Sequence, residues 1–263
     1  MPLHETEAFV LRTYTLKEAD KICVFLTRDA GKLRGVAHGA RKLRSRFGAS
    51  LEPLTKVALT YFQKENRELV SISNCDILQS QFRLVTGSES LVVLSHLAKL
   101  SDGFLPDHEP NERMFRLIAA TLDGLRRAPV ESWKALARYF EVWLLKLAGF
   151  FPELFECAAC RRALAREASI WLTEESAPLC SACADRRGEE LRPDARQLIQ
   201  EMLGQAPGRF VATPRGAGAL RQVGALTRRL CERALEQEQE SFNLIDRLPP
   251  VTTAVVASDQ HLM

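Results

Sequence analysis

The sequence of 263 residues predicts an α+β multidomain protein: an N-terminal five-stranded OB-type β-barrel, then an α-helical domain with an inserted four-cysteine zinc knuckle. Three observations predict it. Five short β-rich runs crowd into the first 80 residues, helical periodicity takes over after them, and Cys157, Cys160, Cys180 and Cys183 stand as CxxC, nineteen residues, CxxC. A hydrophobic fraction of 46% and a charged fraction of 26% suit a folded soluble chain, and no apolar run approaches the roughly 18–20 residues of a membrane span. The start, MPLHE, lacks a basic region followed by an apolar stretch, so a cytoplasmic protein is expected.

The barrel elements follow in order. Residues 6–13 are rich in β-formers, and 21–27 (KICVFLT) form an apolar run of strand length. Asp29, Ala30 and Gly31 signal a turn, after which 32–37 return as a third strand. Residues 54–62 (LTKVALTYF) alternate, 64–68 read as a polar turn, and 69–77 supply a fifth strand. Closure removes the edges that short strands would otherwise expose, which favours an OB-type barrel, with an SH3-like barrel as the alternative. Domain 1 therefore spans residues 1–80.

Apolar residues at helical spacing then predict helices at 89–100, 112–127, 132–148, 194–203 and 217–238. Pro110 and Pro129 punctuate the gaps between the first three. The helical domain covers 81–156 and 188–248, the insertion 157–187, and 249–263 carry no partner pattern and read as an unstructured tail.

Two residues between paired cysteines let both thiolates of a tight turn face one ion, and two such turns complete a tetrahedral sulfur shell. Four cysteines fill every position, so the expected Zn2+, one per chain, is structural and not catalytic. Two disulfides are the alternative, but seven cysteines is an odd number, and free thiols fit a reducing compartment. Cys23, Cys75 and Cys231 read as small buried apolar side chains.

The charge has a location. Residues 1–80 hold 13 Lys and Arg against 9 Asp and Glu, whereas the remainder holds 23 against 24. Between Ala30 and Leu51 stand Lys32, Arg34, Arg41, Lys42, Arg44 and Arg46, with His38 and no acid. Such a block suits a polyanion, its cations meeting phosphates beside a barrel face. Phe47, Tyr61 and Phe62 are near enough in sequence to stack on bases, although core positions suit each of them better. Phosphate-loop, GxSxG, HExxH and kinase motifs are absent, and no His has Glu two positions later, as a zinc deaminase requires. A protein without a catalytic site is expected; a metal-dependent nucleic-acid enzyme or a zinc-ribbon scaffold binding only protein are the rivals.

Three stretches resemble the RecO recombination mediator family of bacterial DNA repair. Residues 31–47 (GKLRGVAHGARKLRSRF) look like its basic barrel hairpin. Residues 139–154 (YFEVWLLKLAGFFPEL) lead into Cys157 and Cys160 as the family's helix leads into its zinc motif, which Cys180 and Cys183 close. The similarity runs over roughly residues 3–235. His38 stands where relatives commonly have lysine, Arg161 where they commonly have glycine, and Glu240-Ser241 replaces a more basic ending. The resemblance implies an OB fold, a helical domain with an inserted zinc site, and no catalytic centre. It further implies binding of single- and double-stranded DNA through Lys32, Arg34, His38, Arg41, Lys42, Arg44 and Arg46, and annealing of complementary strands. Also implied are work with RecR to load RecA onto strands coated by single-strand-binding protein, and a place in the bacterial cytoplasm with the nucleoid.

Overall fold

The chain is described by a computed structural model that covers residues 2–63, 68–85, 87–185, 188–213 and 215–249. The predicted polar turn at 64–68 and the predicted tail at 249–263 lie outside the described residues, apart from Glu68 and Pro249.

Five strands, β1 (Leu3–Leu16), β2 (Asp20–Thr27), β3 (Gly31–Ala37), β4 (Lys56–Phe62) and β5 (Leu69–Gln79), close into a barrel in the order β1-β2-β3-β5-β4. The five predicted strands are all present. Closure depends on the length of β1: residues 3–9 pair with β4, residues 8–16 pair with β2, and a bulge between Val10 and Arg12 bends the strand from one partner to the other. The β3–β5 contact is parallel. Ala8, Val10, Cys23, Phe25, Leu33, Val57, Leu59, Tyr61, Val70 and Ile72 fill the interior, with Phe47 and Leu51, from the connection between β3 and β4, packed among them.

The opposite face of β1 and β2 is also buried. Phe9, Leu11, Val24 and Leu26 belong to the core of the helical body, which explains why ICVFL, residues 22–26, is apolar throughout and does not alternate. Helices α1 (Ser88–Phe104), α2 (Glu112–Arg127) and α3 (Trp133–Leu147) build that body; Asn111 caps α2 by accepting a hydrogen bond from Met114 N at 3.0 Å. The insertion contains β6 (Ile170–Leu172), β7 (Pro178–Leu179), the single turn α4 (Ser181–Ala184) and β8 (Glu189–Leu191), its three strands ordered β7-β6-β8. Helices α5 (Pro193–Gly204), α6 (Pro207–Phe210), α7 (Ala217–Leu235) and α8 (Ser241–Asp246) complete the described chain. Helix α3 lies against α1, α2, α5 and α7. Among the described residues no helix is long and apolar enough to cross a membrane.

Barrel and helices meet through specific contacts. The Phe9 and Phe115 rings are 4.8 Å apart, and His108 N donates to Lys32 O at 2.8 Å. Gly31 takes φ +70°, and a Cβ there would lie 2.2 Å from Glu109 O, so only glycine lets the segment before α2 close over the barrel.

Candidate nucleic-acid interface and metal centre

The basic block divides in the structure. Lys32 is 6% exposed; its Nζ donates to Asp102 O at 2.8 Å and lies 3.3 Å from the Asp107 carboxylate. The sequence groups Lys32 with the polyanion-binding set; in the structure, alternation along β3 turns it outward at the place where the helical body covers the barrel, and two carboxylates of that body hold it there. Arg34, two residues along the same face, is half exposed and pairs with Asp107 at 3.2 Å.

His38, Arg41, Lys42, Arg44 and Arg46 come together on the exposed connection after β3. Successive turns shape it: Ala40 N donates to Ala37 O, Lys42 N to Gly39 O and Ser45 N to Lys42 O, at 3.0–3.3 Å. Gly39 takes φ +74°, which permits the first reversal. Both ends of the segment from His38 to Arg41 are fastened to the β1–β2 turn. Asp20 accepts from Gly39 N at 2.8 Å and contacts His38 Nδ1 at 2.9 Å, while Arg41 donates from its backbone to Ala19 O and from Nη1 to Lys17 O and Glu18 O. The Gly39 N–H, followed by the His38 contact, holds the Asp20 carboxyl below its usual pKa. Arg46 donates to Ile72 O at 3.3 Å and lies over the Phe47 ring. Among the described residues, Arg41, Lys42, Arg44 and Arg46 form no ion pair, so their charge is uncompensated locally.

Phe47 and Tyr61 are 3% and 5% exposed inside the barrel, as their core positions predicted, and Phe62 is half-buried. Tyr14 is an exposed aromatic side chain on the outer face, which sequence proximity to the basic block did not pick out. Pairing aligns Tyr14 with Ile22 and Ile22 with Val36, so the three share the outer face next to the basic connection. Tyr14 is 40% exposed, with Arg12 Cζ 4.5 Å from its ring centroid. The available signal was the alternation Arg12, Tyr14 at the exposed end of β1.

The four predicted ligand cysteines converge, with all sulfurs within 4.8 Å of one another and Cys160 Sγ 3.8 Å from Cys180 Sγ. Metal–sulfur bonds of about 2.3 Å in a tetrahedron place sulfurs about 3.8 Å apart, so this set can hold one metal ion. Cys157 N donates to Arg162 O and Arg161 N to Cys157 O, closing the first turn; Cys183 N donates to Cys180 O in the second. Arg161 takes φ +61°, the left-handed region that glycine adopts most readily. Lost solvation disfavours the Cys157 thiolate, but N–H groups of Cys160, Cys180 and Ala159 outweigh it and bring the pKa to about 6. A hydrogen bond with Cys160, then one with Cys180, pushes Cys183 up to about 12.

The knuckle is tied to the helices. Cys157, Cys180, Leu164, Ile170, Leu172 and Leu191 belong to the helical core; Arg196 on α5 donates to Glu167 O at 3.0 Å, and Arg229 on α7 pairs with Glu189. Four sulfurs leave no ligand position open for water, so the cluster's geometry suits a structural ion.

Barrel, basic connection and fastened cysteine cluster define an OB-type barrel protein with a helical body that carries a four-cysteine knuckle able to hold a metal ion. Family models described as Recombination protein O N terminal and Recombination protein O C terminal match residues 1–81 and 88–241, and the chain belongs to this RecO family of DNA repair proteins. It is 34% identical over 246 residues to the DNA repair protein RecO of Koribacter versatilis, covering 94% of this chain and 99% of that protein. The Geobacter metallireducens protein of the same name is 31% identical over 84% of this chain and 88% of its own length. That of Pelotomaculum thermopropionicum is 26% identical over 98% and 100%.

Proposed function

We propose that this RecO-family chain is a non-enzymatic mediator of homologous recombination that binds single- and double-stranded DNA and anneals complementary strands. By family resemblance it works with RecR to load RecA onto strands coated by single-strand-binding protein, in the bacterial cytoplasm. One observation carries the DNA-binding role: Arg41, Lys42, Arg44 and Arg46 sit on a fastened, acid-free connection with no ion pair among the described residues. Uncompensated cations on a shaped support meet phosphates and release counterions. His38 and Arg34 flank them, and Tyr14, Ile22 and Val36 offer an apolar face to bases. Lys32 is left out because it is buried under the helical body, whereas Arg34, paired with the same Asp107, stays half exposed. The knuckle holds one structural Zn2+ through Cys157, Cys160, Cys180 and Cys183, clamping the insertion to the helices.

The test is strand annealing and single-strand binding at two salt concentrations. Three to five phosphate contacts give a log–log salt slope of about −2 to −3.5. Joint charge reversal of Arg41, Lys42, Arg44 and Arg46 abolishes annealing with the thermal transition retained. Unchanged binding by that variant refutes the assignment, and absence of salt-sensitive DNA affinity in the wild type favours a protein-only scaffold.

A further inference from the structure

The connection that presents the cations also presents Leu43. Its side chain is 102% exposed, the highest value of any large hydrophobic among the described residues. Its chain neighbours are Lys42 and Arg44, neither with a side-chain partner among the described residues. We propose that Leu43 is an apolar wedge that inserts against the bases of bound DNA and unstacks them while the flanking cations hold the phosphates. The proposal rests on the DNA-binding role above and adds to it a contact with bases.

A single exposed leucine is ordinary on a protein surface. Its setting here is not. Leu43 lies within a turn closed by Ser45 N donating to Lys42 O at 3.0 Å, two residues beyond Arg41, where Asp20 and the carbonyls of Lys17, Glu18 and Ala19 fasten the chain to the barrel. Turn and anchors hold the leucine out in water, so little ordering remains to be done when a ligand covers it. Cations on both sides bring the sugar–phosphate chain to the leucine, and the apolar surface within reach of a side chain held among phosphates is the base stack. Leucine is among the side chains that proteins insert between base steps, where it partly unstacks them. Cation–phosphate contact alone leaves bases stacked and carries no base contact. A strand whose bases are turned out of the stack presents their pairing edges to a complement, which links the wedge to annealing.

The experiment uses the full chain, with single-stranded oligonucleotides carrying 2-aminopurine, a base whose fluorescence rises when it is unstacked. Wild-type protein raises the signal on binding. Leu43→Ser removes the apolar surface and no core contact; it binds about tenfold more weakly, consistent with partial burial of one leucine. Its salt slope stays unchanged, and the fluorescence rise is lost. Leu43→Phe restores the rise. A Leu43→Ser variant with wild-type affinity and an undiminished rise overturns the wedge alone. Absence of salt-dependent binding by the wild type overturns the basic connection as a DNA site, and the wedge with it.

Discussion

Glu141→Gln changes one atom type at the centre of the helical body. Glu141 on α3 is fully buried and accepts Arg138 Nη1 at 2.7 and 2.9 Å, His96 Nε2 at 2.8 Å and Thr227 Oγ1 at 2.5 Å. Arg138 is equally buried, reaches Asp246 on α8 at 2.5 Å, and fits only because residue 224 is glycine: a Cβ there would lie 2.6 Å from Arg138 Cζ. The amide keeps the volume but removes the charge, leaving the guanidinium with half-exposed Asp246 as its remaining anion. Breaking a buried pair from one side costs about 3–5 kcal/mol. For 263 residues the unfolding entropy is roughly 0.5 kcal/mol per degree, so the melting temperature falls by about 5–9 °C. The pH dependence fixes the sign. Burial disfavours the Glu141 carboxylate, but the charge of Arg138 and hydrogen bonds from His96 and Arg138 outweigh it and hold the pKa below the usual range. The stabilisation is therefore fully present above the unfolded value of about 4.3 and is lost as pH falls through the lower folded value. Thermal unfolding of both proteins from pH 3 to 7 measures this. A loss under about 1 kcal/mol at pH 7, or a gap that does not narrow with acid, refutes the account of the pair as a stabilised buried ion pair.

Cys157→Ser combined with Cys160→Ser removes two of the four proposed sulfur ligands: the expected outcome is loss of the one metal ion per chain and a lower melting temperature, with a stability loss smaller than the roughly 10–16 kcal/mol that a structural ion supplies to isolated small zinc peptides. Retention of stoichiometric metal, read by elemental analysis, contradicts four-sulfur ligation. Gly31→Ala places a methyl group against the Glu109 backbone at a positive φ. Left-handed strain of about 1–2 kcal/mol and overpacking of about 1–3 kcal/mol predict a combined loss of roughly 2–5 kcal/mol in urea titration, and a loss under about 0.5 kcal/mol contradicts the close approach of that segment to the barrel.

Local pattern made much of this molecule legible. Alternation and turn residues located all five barrel strands, and helical spacing located the long helices, because both periods are properties of adjacent residues. Helix α8 and strands β6 to β8 escaped, being only two to six residues long and shaped by what they pack on: Phe242 and Ile245 of α8 are fully buried, and β6 pairs with both β7 and β8. The Arg138 and Glu141 pair carried no signal, since an i, i+3 charge pair on a helix looks the same in water as in a core.

Spacing and composition were enough to establish the barrel-then-helix order, the four cysteines that cluster and the place of the positive charge, because both are local quantities. Which cations are free was settled by packing. Lys32 and Arg41 are alike on paper, yet one is closed under the helical body by Asp102 and Asp107 and the other is held in solvent by backbone carbonyls of the β1–β2 turn. Those partners come from segments distant in the chain, and the way sheet and helices pack brings them into contact.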